Sequence, residues 1–230
     1  MKKKLTTKKT LTPKSIVSRP RREAFLPSDM AYLRNKSSII LGEHVGSGSV
    51  GDVYGIQDNP NLVAKVATGL VNKGINDPWV KIARKDLFKE WSRGDSFSAN
   101  REPLMTPTKS MPIKGRYTDE GRPVYALVRP RVKGIWKMNV TDSMVEQIRR
   151  KLISLTDKGF MFTDGIQLGL DRANRPLVFD MGDVELANDI DEAYDINNTR
   201  WKQFLELDLK RKPAEYLDLY GNIGSKQRRV

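Results

Sequence analysis

Gly46-Ser47-Gly48-Ser49-Val50-Gly51-Asp52-Val53-Tyr54, followed after a polar turn by Leu62-Val63-Ala64-Lys65, is the stretch that decides how this chain is read. Gly46, Gly48 and Gly51 make a G-x-G-x-x-G spacing. Strand-forming Ile39, Ile40 and Leu41 precede it, Val53 and Tyr54 follow it, and Asp58-Asn59-Pro60 turns the chain back toward Lys65. Backbone left bare at glycine lets N–H groups approach a phosphate, and a lysine on the returning strand can reach the same anion. The spacing is shared with dinucleotide-binding βαβ units, whose glycines run straight into a helix. Here Val53-x-x-Ile56 and the Asp-Asn-Pro turn predict a second strand instead, and no Gly-Lys-Ser/Thr follows to make a Walker loop. A glycine-rich hairpin turn without a ligand has the same local sequence, so residues elsewhere must decide.

Composition narrows the choice. The 230 residues, 38% of them hydrophobic, are enough for one large domain or two small lobes with a core. The formal charge of +13 is unevenly placed: residues 1–36 hold eleven Lys and Arg against Glu23 and Asp29, which leaves +9 there and +4 in the rest. That basic segment is rich in Lys, Thr, Ser and Pro, and is expected to be a disordered leader over 1–36. It lacks the apolar core of a secretory signal peptide, and no run of about 18 apolar residues occurs, so neither Sec export nor membrane insertion is expected. With Cys 0 and His 1, disulfides, thiolate zinc sites, Cys nucleophiles and a Ser-His-Asp triad lack material; the single histidine, His44, lies in the first strand.

Strands are expected over Ile39 to Val45, Val53 to Ile56 and Leu62 to Val66, then a helix from about Pro78 to Trp91 with Trp79, Ala83, Leu87 and Trp91 on one face. Pro103, Pro107, Pro112 and Pro123 predict loops and short strands over 98–123. Val124 to Val128 is a compact apolar strand that Arg129-Pro130-Arg131 ends, which places a hinge between an N-lobe over 37–130 and a C-lobe over 131–230. Val145, Ile148, Leu152 and Leu155 predict an amphipathic helix, with Ser143 and Glu146 in capping-box register at its start and Gly159 at its end. Phe160 to Asp164 then leads into Ile166 to Asp171, a turn, and Leu177-Val178-Phe179-Asp180. A last helix holds Trp201, Phe204, Leu205 and Leu209.

Asp164 and Asp180 stand at the two ends of that hairpin, whose geometry can bring both near one phosphate chain. Phosphoryl transfer needs little covalent chemistry and much charge management: a lysine for the phosphates, oxygen donors for Mg²⁺, and a proton acceptor near the incoming hydroxyl. All of these are available. Glu90, on the buried side of the predicted helix, is the choice of partner for Lys65, with Asp86 and Glu102 as rivals and a solvated charged face as the plainer reading.

With those residues in view, the chain resembles a protein kinase reduced to minimal size. The resemblance implies an α+β, two-lobed fold with a small antiparallel N-lobe and a reduced, mainly helical C-lobe lacking a full activation segment. It implies ATP and Mg²⁺ as cofactors. Gly46, Ser47, Gly48, Ser49 and Gly51 match the glycine-rich loop, Val53 the residue over the adenine, Lys65 the strand-three lysine and Glu90 its partner. Phe162-Thr163-Asp164 stands where His-Arg-Asp would be, making Asp164 the catalytic base; Asp180-Met181-Gly182 stands for Asp-Phe-Gly, making Asp180 the chief Mg²⁺ ligand. The family's metal-binding Asn falls on Gly169, but a loop two residues shorter aligns Gln167 as the second-metal amide. Without the Arg of His-Arg-Asp, control by a phosphorylated activation loop is not expected.

Only fifty residues follow Asp180, with no Ala-Pro-Glu. That brevity is similar to the small kinases injected by bacterial type III secretion systems, and most similar to the HopBF family. Such a resemblance, over roughly 37–210, implies a Ser/Thr protein kinase secreted into the host cell cytoplasm, with a host protein such as the heat-shock-ninety chaperone as substrate and the basic leader as secretion signal. Two alternatives stay open: a non-catalytic pseudokinase or basic module binding nucleic acid or acidic surfaces through 1–36, and a kinase of small molecules, which shares the fold.

Overall fold

The computed structural model describes residues 25–48, 50–100, 104–135, 140–179 and 184–210, with backbone alone for 95–100. Its elements run α1 (Pro27–Asn35), β1 (Leu41–Ser47), β2 (Gly51–Ile56), β3 (Asn59–Ala67), α2 (Leu70–Lys73), α3 (Pro78–Asn100), β4 (Lys109–Tyr117), β5 (Pro123–Pro130), β6 (Lys133–Gly134), α4 (Asp142–Thr156), β7 (Phe160–Phe162), β8 (Leu168–Leu170), β9 (Pro176–Val178), β10 (Val184–Leu186) and α5 (Ile190–Gln203). One π-helical turn, Phe204–Asp208, extends α5.

Two separate apolar cores define two lobes. In the N-lobe a five-stranded antiparallel sheet, in the order β1-β2-β3-β5-β4, packs with α1 and α3 around Leu33, Leu62, Ala64, Val66, Val80 and Leu87. In the C-lobe α4 presents Val145, Ile148, Leu152 and Leu155 at steps of three and four residues to α5 and two small sheets. The fold is α+β and two-lobed, as the sequence predicts.

Several local expectations need correction. The helix α1 lies inside the segment expected to be a disordered leader. Phe25 and Leu33 are buried in the N-lobe, and Lys109 Nζ donates to the Leu33 carbonyl at 2.8 Å, so the N-lobe begins by residue 25. Residues 1–24 lie outside the described residues. The β2–β3 turn is Gln57-Asp58, because Ile56 pairs with Asn59; Pro60 falls early in β3, where a missing donor does least harm. The third helix runs on to Asn100, and Asp77 Oδ1 caps its start by accepting from Trp79 N (2.9 Å) and Val80 N (3.3 Å). Its buried stripe is Val80, Ala83, Leu87 and Glu90; Trp79 is 71% exposed, so the stripe is rotated from the expected one. Pro112 sits within the nine-residue β4, which tolerates it as an edge strand. Thr141, rather than Ser143, caps α4, its hydroxyl accepting from Met144 N at 3.3 Å.

Candidate active site

Strand alternation builds the upper wall of the interlobe cleft. Antiparallel register sets Val53 of β2 and Leu127 of β5 opposite Lys65 of β3, and Arg129 of β5 opposite Val63. Residues paired in this way share a face, as do residues two apart, so Val53, Val63, Lys65 and Arg129 all turn toward the same side. They line one cleft of about 690 Å³ together with Gly46, Ser47, Gly48 and Gly51 of the β1–β2 hairpin, and with Asp164 and Gln167 of the C-lobe.

The three glycines differ in what requires them. A Cβ at Gly51 would lie 2.7 Å from Lys65 Cε and 3.0 Å from the Val66 carbonyl, so this glycine makes room for the lysine stem. A Cβ at Gly46 would meet nothing within 4 Å, and one at Gly48 only the Gly51 carbonyl at 3.6 Å. Those two leave open backbone over the cleft. The tip is closed by Gly48 N donating to Gly51 O at 2.9 Å and anchored by Thr68 Oγ1 donating to Gly48 O at 2.9 Å. Ser47 Oγ is 3.0 Å from His44 Nε2. Ser49 lies outside the described residues.

Beneath the hairpin, Lys65 Nζ donates to Glu90 Oε2 at 2.8 Å. Glu90 occupies what is otherwise an apolar stripe of α3, where an unpaired carboxylate would cost several kcal/mol. Its second oxygen, Oε1, makes an ion pair with Arg129 Nη1 at 2.8 Å, without the alignment of a hydrogen bond. Burial pushes the Glu90 carboxyl up, but Arg129 and Lys65 outweigh it and hold the group below the usual glutamate range. Asp86, a rival partner for Lys65, is instead held at the surface by Lys89 at 2.9 Å; Glu102 lies outside the described residues.

Arg129 was not singled out from sequence, where Arg129-Pro130-Arg131 reads as a strand terminator. The usable signal was its parity with Leu127, the residue opposite Lys65. A charged side chain at that parity must face the lysine's side of the sheet.

The lower wall is arranged by the C-lobe. Asn197 of α5 is fully buried; its Nδ2 donates to Thr156 Oγ1 (2.8 Å) and Phe160 O (2.7 Å), and its Oδ1 accepts from Phe162 N (2.9 Å). Arg200, one turn on, donates to Phe162 O at 3.2 Å and to Thr163 O. Together they fix the backbone that delivers Asp164, which is exposed at the cleft. Gln167 also reaches the cleft, and its carbonyl accepts from Phe179 N at 3.0 Å, which sets the residue before Asp180 directly across the β8–β9 hairpin. Asp180, Met181 and Gly182 lie outside the described residues. A Cβ at Gly169 would sit 2.7 Å from Val132 Cγ2 and 3.0 Å from the Lys133 carbonyl, which closes that position to a larger side chain, and among the described residues of this loop Gln167 is the amide that lines the cleft.

These features, two lobes with separate cores, a glycine hairpin over the cleft and a buried lysine–glutamate pair, make up a protein-kinase-like fold. The crystal structure of the Rio2 kinase–ADP/Mg²⁺–phosphoaspartate complex from Chaetomium thermophilum superposes on 86% of this chain with a TM-score of 0.53 and 11% sequence identity. This chain spans 66% of the length of that one. Neither any family model nor any curated protein matches the sequence. Among the described residues no helix is long and apolar enough to cross a membrane.

Proposed function

We propose that this chain is an ATP- and Mg²⁺-dependent protein kinase that phosphorylates Ser or Thr. The observation that carries the reading is the Lys65–Glu90 ion pair, buried under an open glycine hairpin in the wall of a cleft whose opposite wall holds Asp164 and Gln167. Lys65 and Arg129 share the buried Glu90 carboxylate, which holds the Lys65 ammonium in the cleft wall where a phosphate can meet it. Val53 and Val63 offer apolar contact for a base, and Gly46 and Gly48 offer backbone for phosphates. The oxygen donors Gln167 and Asp180 suit Mg²⁺, which binds through one or two protein oxygens plus nucleotide phosphates. When bound, the ion neutralises charge on the triphosphate.

In the transfer step the acceptor hydroxyl oxygen bonds to the γ-phosphorus. The bond to the β–γ bridging oxygen breaks, ADP leaves with the electron pair, and the hydroxyl proton passes to the Asp164 carboxylate. The resemblance to type III effector kinases of the HopBF family supports a host protein, the heat-shock-ninety chaperone among them, as substrate after delivery into the host cytoplasm.

Incubation of the purified chain with [γ-³²P]ATP, Mg²⁺ and eukaryotic lysate tests this directly. Lys65→Met and Asp180→Asn are expected to reduce labelling by about 10²- to 10³-fold while the fold is kept; undiminished labelling by either ends the reading. Because the Rio2 structure holds phosphoaspartate, hydroxylamine treatment separates an acyl phosphate on a cleft aspartate from phosphoserine or phosphothreonine.

A second reading rests on the +9 charge of residues 1–36: sequence-blind binding of nucleic acid or acidic surfaces. Nucleotide-dependent stabilisation that survives removal of residues 1–24 favours the kinase. RNA binding that weakens with salt, with no nucleotide effect, favours the alternative.

A further inference from the structure

Arg129 joins three segments that are distant in sequence, through a side chain only 4% exposed. Its Nη1 lies 2.8 Å from Glu90 Oε1 on α3 and donates to the Phe179 carbonyl at 3.1 Å, one residue before Asp180. Its Nε donates to Thr108 Oγ1 at 3.2 Å. Thr108 in turn belongs to a segment clamped to the C-lobe hairpin: Val178 N donates to Leu104 O at 2.6 Å, Thr106 Oγ1 donates to Val178 O, and Met105 bridges to Val178 in parallel. A single guanidinium therefore touches the helix whose Glu90 pairs with Lys65, the chain leading to Asp180, and the strap between them.

We propose, on the kinase reading above, that Arg129 is a positioning residue for phosphoryl transfer. It fixes the Glu90 carboxylate, and through it the Lys65 ammonium, relative to the backbone that carries Asp180. The lysine that meets the phosphates is thereby set in register with the Phe179 carbonyl of the C-lobe. A phosphate group pairing with arginine commonly supplies this kind of alignment in switchable proteins. Here a planar fork already buried in the fold supplies it. Arg suits the task where Lys does not, because its rigid, planar donors hold several acceptors at fixed angles.

A positioning role has a kinetic signature distinct from both ligand contact and bulk stability. An interaction that only aligns reacting groups is lost in the rate at saturation, whereas a direct ligand contact is lost in affinity. The test uses the full chain, MgATP as the probe, and dephosphorylated casein or water as acceptor, with affinity read by calorimetry and transfer by single-turnover release from [γ-³²P]ATP. Arg129→Met is expected to lower the saturated transfer rate by about 10²-fold, while the MgATP Kd moves less than about 3-fold. Arg129→Lys keeps the charge beside Glu90 without the fork, and is expected to show the same split with a smaller loss; it decides the matter should the methionine variant not fold.

A folded variant with an undiminished rate overturns the proposal, as does a loss of affinity equal to the loss of rate, which would make Arg129 a ligand contact. A wild-type chain that neither binds MgATP nor transfers phosphate overturns the kinase reading itself, and this inference with it. Wild-type transfer with an unaffected Arg129→Met leaves the kinase standing and removes only the role of Arg129.

Discussion

The two walls of the cleft are held by different physics. Above, charge positions charge: Lys65, Glu90 and Arg129 form a nearly dry ion-pair cluster in which a two-oxygen carboxylate serves two cations. Below, no carboxylate is involved: the backbone before Asp164 is fixed by a neutral amide, Asn197, which makes three hydrogen bonds from a fully buried position, and by Arg200 donating to the Phe162 and Thr163 carbonyls. Ionic positioning is strong only while every partner is present and ionised, since a buried ion left alone costs more than the pair contributes. Amide positioning is weaker per contact and indifferent to pH over the range where carboxylates titrate. The upper wall is thus the one that acid or a single charge deletion should undo.

Glu90→Gln tests this most severely. It removes the counter-charge that Glu90 supplies to Lys65 and Arg129, and is expected to lower unfolding free energy by about 3–5 kcal/mol at pH 7 in urea denaturation. The pH dependence has a definite sign. The Glu90 carboxyl is held below its ordinary range in the folded chain, so its contribution is complete above the unfolded value of about 4.3 and is lost as pH falls through the lower folded value. The gap between wild type and Glu90→Gln should close on acidification below about pH 4. A gap that is small at pH 7, or that persists unchanged in acid, would show that the cluster does not position charge as described.

Much of the upper wall was legible because β-strands and helices report their faces by period. Gly46, Gly51, Val53 and Lys65 fall in three successive strands whose alternation is visible in the chain, Gly48 lies in the turn between the first two, and Glu90 interrupts an apolar stripe at helical spacing. Arg129 was missed because the tripeptide Arg129-Pro130-Arg131 signals a break, while β5 continues through Pro130 as far as its pairing with Leu62. The lower wall was less legible. Asn197 and Arg200 act on backbone carbonyls and an amide more than 30 residues away in sequence, and nothing local distinguishes them from ordinary helix-surface polar residues. The position of α1 was hidden for another reason. Its single buried apolar side chain, Leu33, and its mixed charges resemble the basic segment before it, and only tertiary contacts separate the two.

Asn197→Ala sharpens the comparison from the neutral side. It strands Phe162 N, Phe160 O and Thr156 Oγ1 in a buried setting, and is expected to cost about 1–3 kcal/mol. Because none of these groups titrates, the cost should be the same at pH 7 and pH 4. A cost that falls in acid alongside that of Glu90→Gln would mean the two walls are not separately held.

The smallest expected effect comes from another junction between the lobes, where Arg172 of the β8–β9 turn donates to Asp29 Oδ1 of α1 at 2.9 Å and to Ser28. Like Glu90, Asp29 is a buried carboxylate; unlike Glu90, it has one guanidinium within reach that is itself partly exposed. Burial pushes the Asp29 carboxyl up, and Arg172 and Arg175 only partly counter that. The linkage therefore has the opposite sign: a raised folded value favours folding in acid and loses that contribution as pH rises through it. Arg172→Ala removes a partner that matters only while Asp29 is ionised, and is expected to cost about 1 kcal/mol or less at pH 7. That cost should shrink as the pH falls through the Asp29 titration, where the protonated acid no longer needs a cation. Thermal melts of wild type and Arg172→Ala across pH 3.5–7.5 would show the two curves converging in acid. A gap at pH 7 as large as that of Glu90→Gln, closing only below the ordinary aspartate range, would instead place Asp29 with Glu90, as a carboxylate held ionised by its partner, and would make this junction a second ionic clamp rather than a weak tie.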